Sequence, residues 1–254
     1  MKRVLFLVLL PVLSSAACDS GPSTSYPAPF DAGGLDAPIA EVTPPAADAA
    51  TDGGLCSAAR AQLVGAVNSV AAGAVTVVST TAGVTTLYVD ATAGGAASAV
   101  TNPWLFVDLG TGAKVPVTDT TSVSSTAWDL AFKRPIIYTN SLDGGPGLGG
   151  AVMLAKEFAA VTAADATGVT FGTEEFFDAE CNAVTDPTGA VLTTFASWYD
   201  YDESTHMLTP AAGTWLVKGG TGALYKVRIV TYYGNPDGTA GATGGAYLLD
   251  VAAL

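Results

Sequence analysis

The chain has one histidine in 254 residues, His206, and three cysteines. A Ser–His–Asp or Cys–His site would have to be built on that single imidazole. No Gly-x-Ser-x-Gly elbow is present to offer a serine nucleophile. Zinc asks for three or four nitrogen or sulfur ligands, which one histidine and widely spaced cysteines do not supply. No catalytic residue and no metal centre is therefore expected. Bases are scarce as well: 10 Lys and Arg stand against 23 Asp and Glu, a formal net charge of −13. Neutralising phosphates needs clustered Lys and Arg, so nucleic acid is excluded as a partner. The acids are scattered, which serves solubility. Glu174, Glu175, Asp178 and Glu180 gather in one stretch with Phe171, Phe176 and Phe177. They read as a solvated acidic loop over an aromatic contact rather than as a calcium site or an acid–base pair.

Long apolar runs are also missing. The longest, at the N-terminus, is shorter than the roughly 20 residues of a spanning helix. Lys2 and Arg3 precede it, and the small residues Ser14, Ser15, Ala16 and Ala17 lead into Cys18. This is the layout of a signal peptide over 1–17, and small residues directly before a cysteine resemble a bacterial lipobox. Cys18 is the expected lipidation site; ordinary secretion with cleavage nearby is the alternative. Residues 18–54 are dense in Pro, Ala, Asp, Gly, Ser and Thr and hold almost no large apolar side chains. Such a stretch cannot bury enough surface to offset the entropy of ordering, and it reads as a tether. Residues 55–254 are enough for one domain with a sizeable core. With Cys18 acylated, Cys56 and Cys181 remain. No C-x-x-C spacing exists, and two cysteines left in an exported chain most simply pair; two buried or free thiols are the alternative.

Within the domain, residues 57–72 have helical composition, with Leu63, Val64, Val67 and Val70 approximating a stripe and Gly73 as a stop. Strand signals follow at 75–81, 85–90, 104–109, 214–218, 224–233 and 247–251, punctuated by glycine-rich turns. In the fifth of these, Tyr225, Val227 and Ile229 share one face and Lys226 and Arg228 the other. An all-β, mostly antiparallel sandwich or barrel-like domain with one short N-terminal helix is expected.

The densest stretch runs from Trp128 to Gly150. Trp128, Leu130 and Phe132 alternate with Asp129, Ala131 and Lys133, the period of a half-buried strand. Pro135 marks an edge or the start of a second strand over 136–139. Gly145, Gly147 and Gly150 spell Gly-x-Gly-x-x-Gly, but polar residues precede it and no β/α alternation follows, so it is not a dinucleotide loop. The run Trp-Asp-Leu-Ala-Phe-Lys-Arg at 128–134, with Ile-Tyr-Thr-Asn-Ser at 137–141 and the glycine loop, resembles the HmuY-like haem-binding lipoproteins. Trp-Tyr-Asp-Tyr at 198–201, His206, Pro210, Tyr-Lys-Val-Arg-Ile at 225–229 and Tyr232-Tyr233 extend the resemblance from about Trp104 to the C-terminus.

The resemblance implies the same all-β fold and a haem ligand, held in that family by paired histidines or, in relatives, methionines. Paired histidines from one chain are impossible here. The axial candidates are His206, Met207 and Met153, iron accepting His or Met. Lys133, Arg134 and Tyr199 are the candidates for haem contact, the two cations for the propionates. Trp128, Trp198, Tyr199 and Tyr201 are either walls or core. His206 is otherwise a scaffold residue with its ring hydrogen-bonded in a turn. The expected protein is a non-enzymatic haem-binding lipoprotein of the outer membrane or cell surface, delivering to a haem receptor. A structural or interaction lipoprotein with this fold and no haem is the alternative.

Overall fold

The structure is a computed structural model that describes residues 56–186, 189 and 191–254. The signal segment, Cys18 and the tether over 18–54 lie outside the described residues. A six-stranded antiparallel sheet carries β1 (Val75–Thr81), β2 (Val84–Asp90), β12 (Ala246–Ala253), β11 (Leu224–Thr231), β10 (Thr214–Lys218) and β7 (Gly150–Leu154), in that order. A four-stranded antiparallel sheet carries β4 (Ala113–Val115), β3 (Leu105–Asp108), β5 (Leu130–Lys133) and β6 (Ile136–Thr139). A separate hairpin pairs β8 (Tyr199–Asp202) with β9 (Met207–Pro210).

The main core lies between the two larger sheets. Leu87, Val89, Val227, Ile229, Leu249 and Val251 of the first meet Leu105, Val107, Leu130 and Phe132 of the second. On β11 the expected alternation holds, with Tyr225, Val227 and Ile229 buried. The four-stranded sheet is covered on its other side too. Trp104, Phe106, Trp128, Ala131, Tyr138, Phe176 and Val191 form a second cluster there. This corrects the half-buried reading of 128–133. Trp128 lies ahead of β5 and turns into the second cluster instead of sharing a face with Leu130 and Phe132. Its ring stacks edge-on against Phe106 and Tyr138.

The first helix is also shorter than expected. Helix α1 (Ser57–Leu63) ends nine residues before position 72. Gly65 is a poor helix residue, and the carbonyls beyond it are claimed by tertiary partners. Asp119 N–H donates to Val67 O at 3.1 Å, and Lys114 Nζ donates to Ala71 O and Gly73 O, each at 3.0 Å. Leu63 and Val64 pack into the second cluster. Cys56, at the N-terminus of α1, is disulfide-bonded to Cys181 across a separation of 125 residues. Among the described residues no helix is long and apolar enough to cross a membrane.

The glycine loop after β6 closes around Asn140. The Asn140 side chain is buried; Nδ2 donates to Ser125 O at 2.9 Å and Trp128 O at 2.8 Å, and Oδ1 accepts from Gly147 N–H at 2.9 Å. A Cβ at Gly145 would stand 2.1 Å from Asn140 Oδ1 and 2.7 Å from the Trp128 ring. The loop is therefore glycine-rich because its backbone touches a buried amide. Asp129 does the same for its neighbours, accepting from Leu109 N–H at 2.8 Å and Gly220 N–H at 2.9 Å.

Glu174 corrects the reading of the acidic stretch as solvated. It is fully buried. Its carboxylate accepts from Thr139 N–H at 2.7 Å, Thr139 Oγ1 at 3.0 Å, Thr194 N–H at 3.0 Å and Thr194 Oγ1 at 2.6 Å. Burial raises its pKa despite these donors. Glu175, Asp178 and Glu180 are exposed, as the sequence suggests.

Candidate functional site

The β8–β9 hairpin holds the chain's histidine. Strand register pairs Asp202 with Met207 and Tyr201 with Leu208, leaving 203–206 as the turn. Asp202 organises that turn. Its Oδ1 accepts from Ser204 N–H at 2.8 Å, Ser204 Oγ at 2.7 Å and Thr205 N–H at 3.3 Å. These donors favour the charged form and lower its pKa to about 2. His206 closes the turn in the left-handed region, at φ 57°, and its N–H donates to Asp202 O at 2.8 Å.

The His206 ring is exposed, with Nδ1 2.5 Å from Tyr201 Oη. Nε2 has no hydrogen-bond partner among the described residues. The roles at Nδ1 depend on the tautomer. If Nε2 is to bind a metal, Nδ1 carries the proton and donates to Tyr201 Oη, which is how ligating histidines are usually oriented. The hairpin is itself pinned to the body: Leu208 is buried, and its N–H donates to Tyr233 Oη at 2.9 Å.

At the hairpin's base, Trp198 and Tyr199 meet edge-on with centroids 4.7 Å apart. Trp198 also packs on Tyr232 and Tyr247, and its Nε1 donates to Pro135 O at 2.7 Å. Arg134, in the β5–β6 turn, donates from Nη1 to Gly244 O at 2.7 Å, and its own carbonyl accepts from Tyr247 Oη at 2.6 Å. The fold thus brings Arg134, Tyr199, Tyr201, His206 and Met207 to one end of the molecule. Trp128 and Trp198 are fully buried core residues.

Two candidates stand elsewhere. Lys133, the last residue of β5, reaches the second cluster, where its Nζ lies 4.8 Å over the Trp104 ring. Burial lowers its pKa, opposed by the nearby Asp119. Met153 sits on β7 opposite Trp215, half-buried against the main core. Met207 is 42% exposed, but it follows His206 directly as the first residue of β9.

A cavity beneath α1, lined by Leu63, Val64, Trp104, Ile136, Tyr138 and Phe176 among others, offers about 10 Å³ to water. That is room for one water at most, so no cofactor fits there. Sequence reasoning missed the Tyr201–His206 pair, whose signal is a five-residue separation closing a short turn between two strands. It also missed the burial of Asp119, Asp129, Asn140 and Glu174, for which no local signal exists.

The HmuY protein family model matches residues 100–247. The chain belongs to the HmuY family. The match spans β3 to the start of β12, so α1, β1 and β2 precede it although β1 and β2 complete the six-stranded sheet. Among solved structures, the chain is similar to a candidate HmuY-like heme binding protein from Bacteroides vulgatus, at 21% identity and TM-score 0.42, covering 67% of this chain and 91% of that one. It is similar to a candidate lipoprotein from Bacteroides fragilis at 18% identity and TM-score 0.41, over 69% and 92%. An apo HmuY analog from Tannerella forsythia gives 16% identity and TM-score 0.36, over 59% and 88%. No protein of curated function matches the chain.

The donor set suits one axial position of an iron porphyrin. His206 presents an exposed imidazole oriented at Nδ1, and imidazole is a common haem ligand. Of the two cations considered for the propionates, Arg134 is at the same end and Lys133 is not.

Proposed function

We propose that this HmuY-family protein is a non-enzymatic haem-binding lipoprotein, with haem held at the β8–β9 end and His206 as an axial ligand. The observation that carries the reading is the oriented, exposed imidazole on a hairpin pinned to the body. Tyr199 and Arg134 would contact the macrocycle and its propionates. Met207 and Met153 are the other axial candidates: Met207 is exposed at the first position of β9 and Met153 is packed against the core. The domain, residues 55–254, would stand off the outer membrane or cell surface on the 18–54 tether, anchored by acyl chains at Cys18 and passing haem to a receptor. One chain gives marginal membrane binding, so multiple acylation is required for firm retention.

The test is a haemin titration of wild type and His206→Ala, each oxidised and reduced. A Soret shift in the wild type that is lost in His206→Ala is the expected result. No shift in either redox state would end the haem reading in favour of an interaction lipoprotein with this fold. The mass of the mature N-terminal peptide tests the anchor, since an unmodified peptide starting elsewhere than Cys18 refutes it.

A further inference from the structure

We infer that the glycine loop after β6 is a membrane-docking tip, laid on the lipid surface to which the chain is anchored, so that the β8–β9 hairpin points away from it. The inference rests on the anchor at Cys18 proposed above and adds how the domain sits on the bilayer. It begins from two leucines. Leu142 is 62% and Leu148 66% exposed, the highest values among the large apolar side chains of the described residues. Both stand on the loop, where Ser141 bridges to Leu148, and the exposed Pro146 lies between them. Apolar residues exposed singly need no explanation. Two leucines and a proline on one projecting loop make a small apolar tip.

The tip is braced from beneath. Gly149 N–H donates to Asn140 O and Leu148 N–H to Gly220 O, each at 2.9 Å, and Gly144 N–H donates to Ser141 O at 2.8 Å. Leu142 is kept at φ 40°, a left-handed conformation that is costly for a residue with a Cβ. The loop therefore imposes the exposure of Leu142. The one charged residue of the loop, Asp143, is turned to the body, where its carboxylate accepts from Phe176 N–H at 2.8 Å and Phe177 N–H at 3.3 Å. Binding to a lipid surface scales with the apolar area buried in it, and this tip can enter the headgroup boundary without carrying an unpaired charge along.

Position selects a bilayer as the occupant. The chain from Cys18 enters the described domain at Cys56, which is bonded to Cys181. Arg60, one turn further along α1, donates from Nε to Asp143 O, so the entry of the chain and the tip share one end of the molecule. Two strands, one from each sheet, run between this end and the other. Ahead of β10, Ala211 N–H donates to Trp198 O at the base of the hairpin at 2.8 Å; after β10, Gly220 meets Leu148. Ahead of β6, Pro135 O accepts from Trp198 Nε1; after β6, Asn140 holds the loop. His206 and the two leucines are therefore at opposite ends, and an anchor at the tip's end leaves the hairpin facing outward. Glu175 and Asp178 are exposed beside the Phe176 and Phe177 amides that hold Asp143. These acids repel anionic headgroups, so the surface that fits is zwitterionic.

The experiment is fluorescence quenching on the full acylated chain, anchored in phosphatidylcholine vesicles with brominated acyl chains. The fluorophore is attached through Pro146→Cys at the tip or through Glu203→Cys in the hairpin turn, both exposed positions. The expected result is strong quenching at 146 and none at 203. Leu142→Ser or Leu148→Ser should each lower the ratio of docked to undocked chains by about tenfold, the effect of withholding one leucine side chain from lipid. Unchanged quenching in both variants overturns the role of the leucines. No quenching at 146 in a chain that is acylated and vesicle-bound overturns the docking while leaving the anchor intact. Energy transfer between chains labelled at 146, without quenching by lipid, would give the tip to a second copy and overturn the assignment as well. A mature chain with no acyl group at Cys18, read by mass spectrometry, removes the reading on which the inference rests, and the docking with it.

Discussion

Asp119 should make the protein lose stability as the pH rises through neutrality. Its side chain is 1% exposed, at the start of α2 (Asp119–Ser122). Its Oδ1 accepts from Trp104 N–H at 2.8 Å. Burial raises its pKa from 3.8 to about 7; the Lys133 charge and the Trp104 amide pull in the opposite direction without cancelling the rise. Tyr138 is the other titratable group within reach, and it too is pushed up by burial.

The folded protein therefore holds a proton that the unfolded chain releases near pH 4. Stability from this group is fully present below that point and is lost as pH climbs to about 7. A shift of this size corresponds to about 4 kcal/mol in all, and roughly 2.5 kcal/mol of it falls between pH 5 and 8. Asp129 and Glu174 are also raised by burial and act in the same direction, so the informative quantity is a difference. Urea unfolding of wild type and Asp119→Asn at pH 5 and pH 8 measures it. Asparagine keeps an acceptor for Trp104 N–H and does not titrate, so the variant should lose about 2.5 kcal/mol less than wild type over that interval. Equal losses in the two proteins would refute the assignment.

Removing the Cys56–Cys181 bond should cost about 5 kcal/mol on the chain-entropy estimate for a loop closed across 125 residues. Unfolding midpoints with and without reductant check this, and a loss under about 1 kcal/mol would show that the unfolded chain is not constrained by the bond. Glu174→Ala should destabilise by about 3 kcal/mol or more, because the amides of Thr139 and Thr194 are left without their acceptor; chemical denaturation measures it, and a change within error would mean that water replaces the carboxylate. On the haem reading proposed above, Tyr201→Phe should weaken haem binding by about 10- to 100-fold, the usual effect of removing the partner of a ligating histidine. The Soret titration reads it, and unchanged affinity would mean that the Tyr201 contact does not orient the ring.

Much of the sheet structure was legible in the residues. Local backbone preference and period-two patterning locate β1, β6 and β10, and the alternation on β11 points its apolar face inward. Counting cysteines in a chain expected to be exported favours the bond between Cys56 and Cys181, and the motifs from Trp128 onward lead to the HmuY family. That two histidines cannot come from one chain is also a property of the sequence, since a single histidine is a matter of counting. Strand β7 was not legible, because its first residues belong to a glycine-rich run and pair only through β10. Helix α1 is shorter than its composition suggests, because the carbonyls of Val67, Ala71 and Gly73 that would have continued it are claimed by Asp119 and Lys114, some forty to fifty residues away in the chain.

The largest misreadings concern polar groups. Glu174 looked solvated because its neighbours are acidic, yet its four donors come from positions 139 and 194. The glycine loop spells a dinucleotide motif out of context, and what it wraps is Asn140. Composition and periodicity report what a residue prefers over a few neighbours. Whether a carboxylate is wet or buried, and which ring nitrogen of His206 is held, depends on donors delivered from distant segments, and only the packed tertiary structure brings those together.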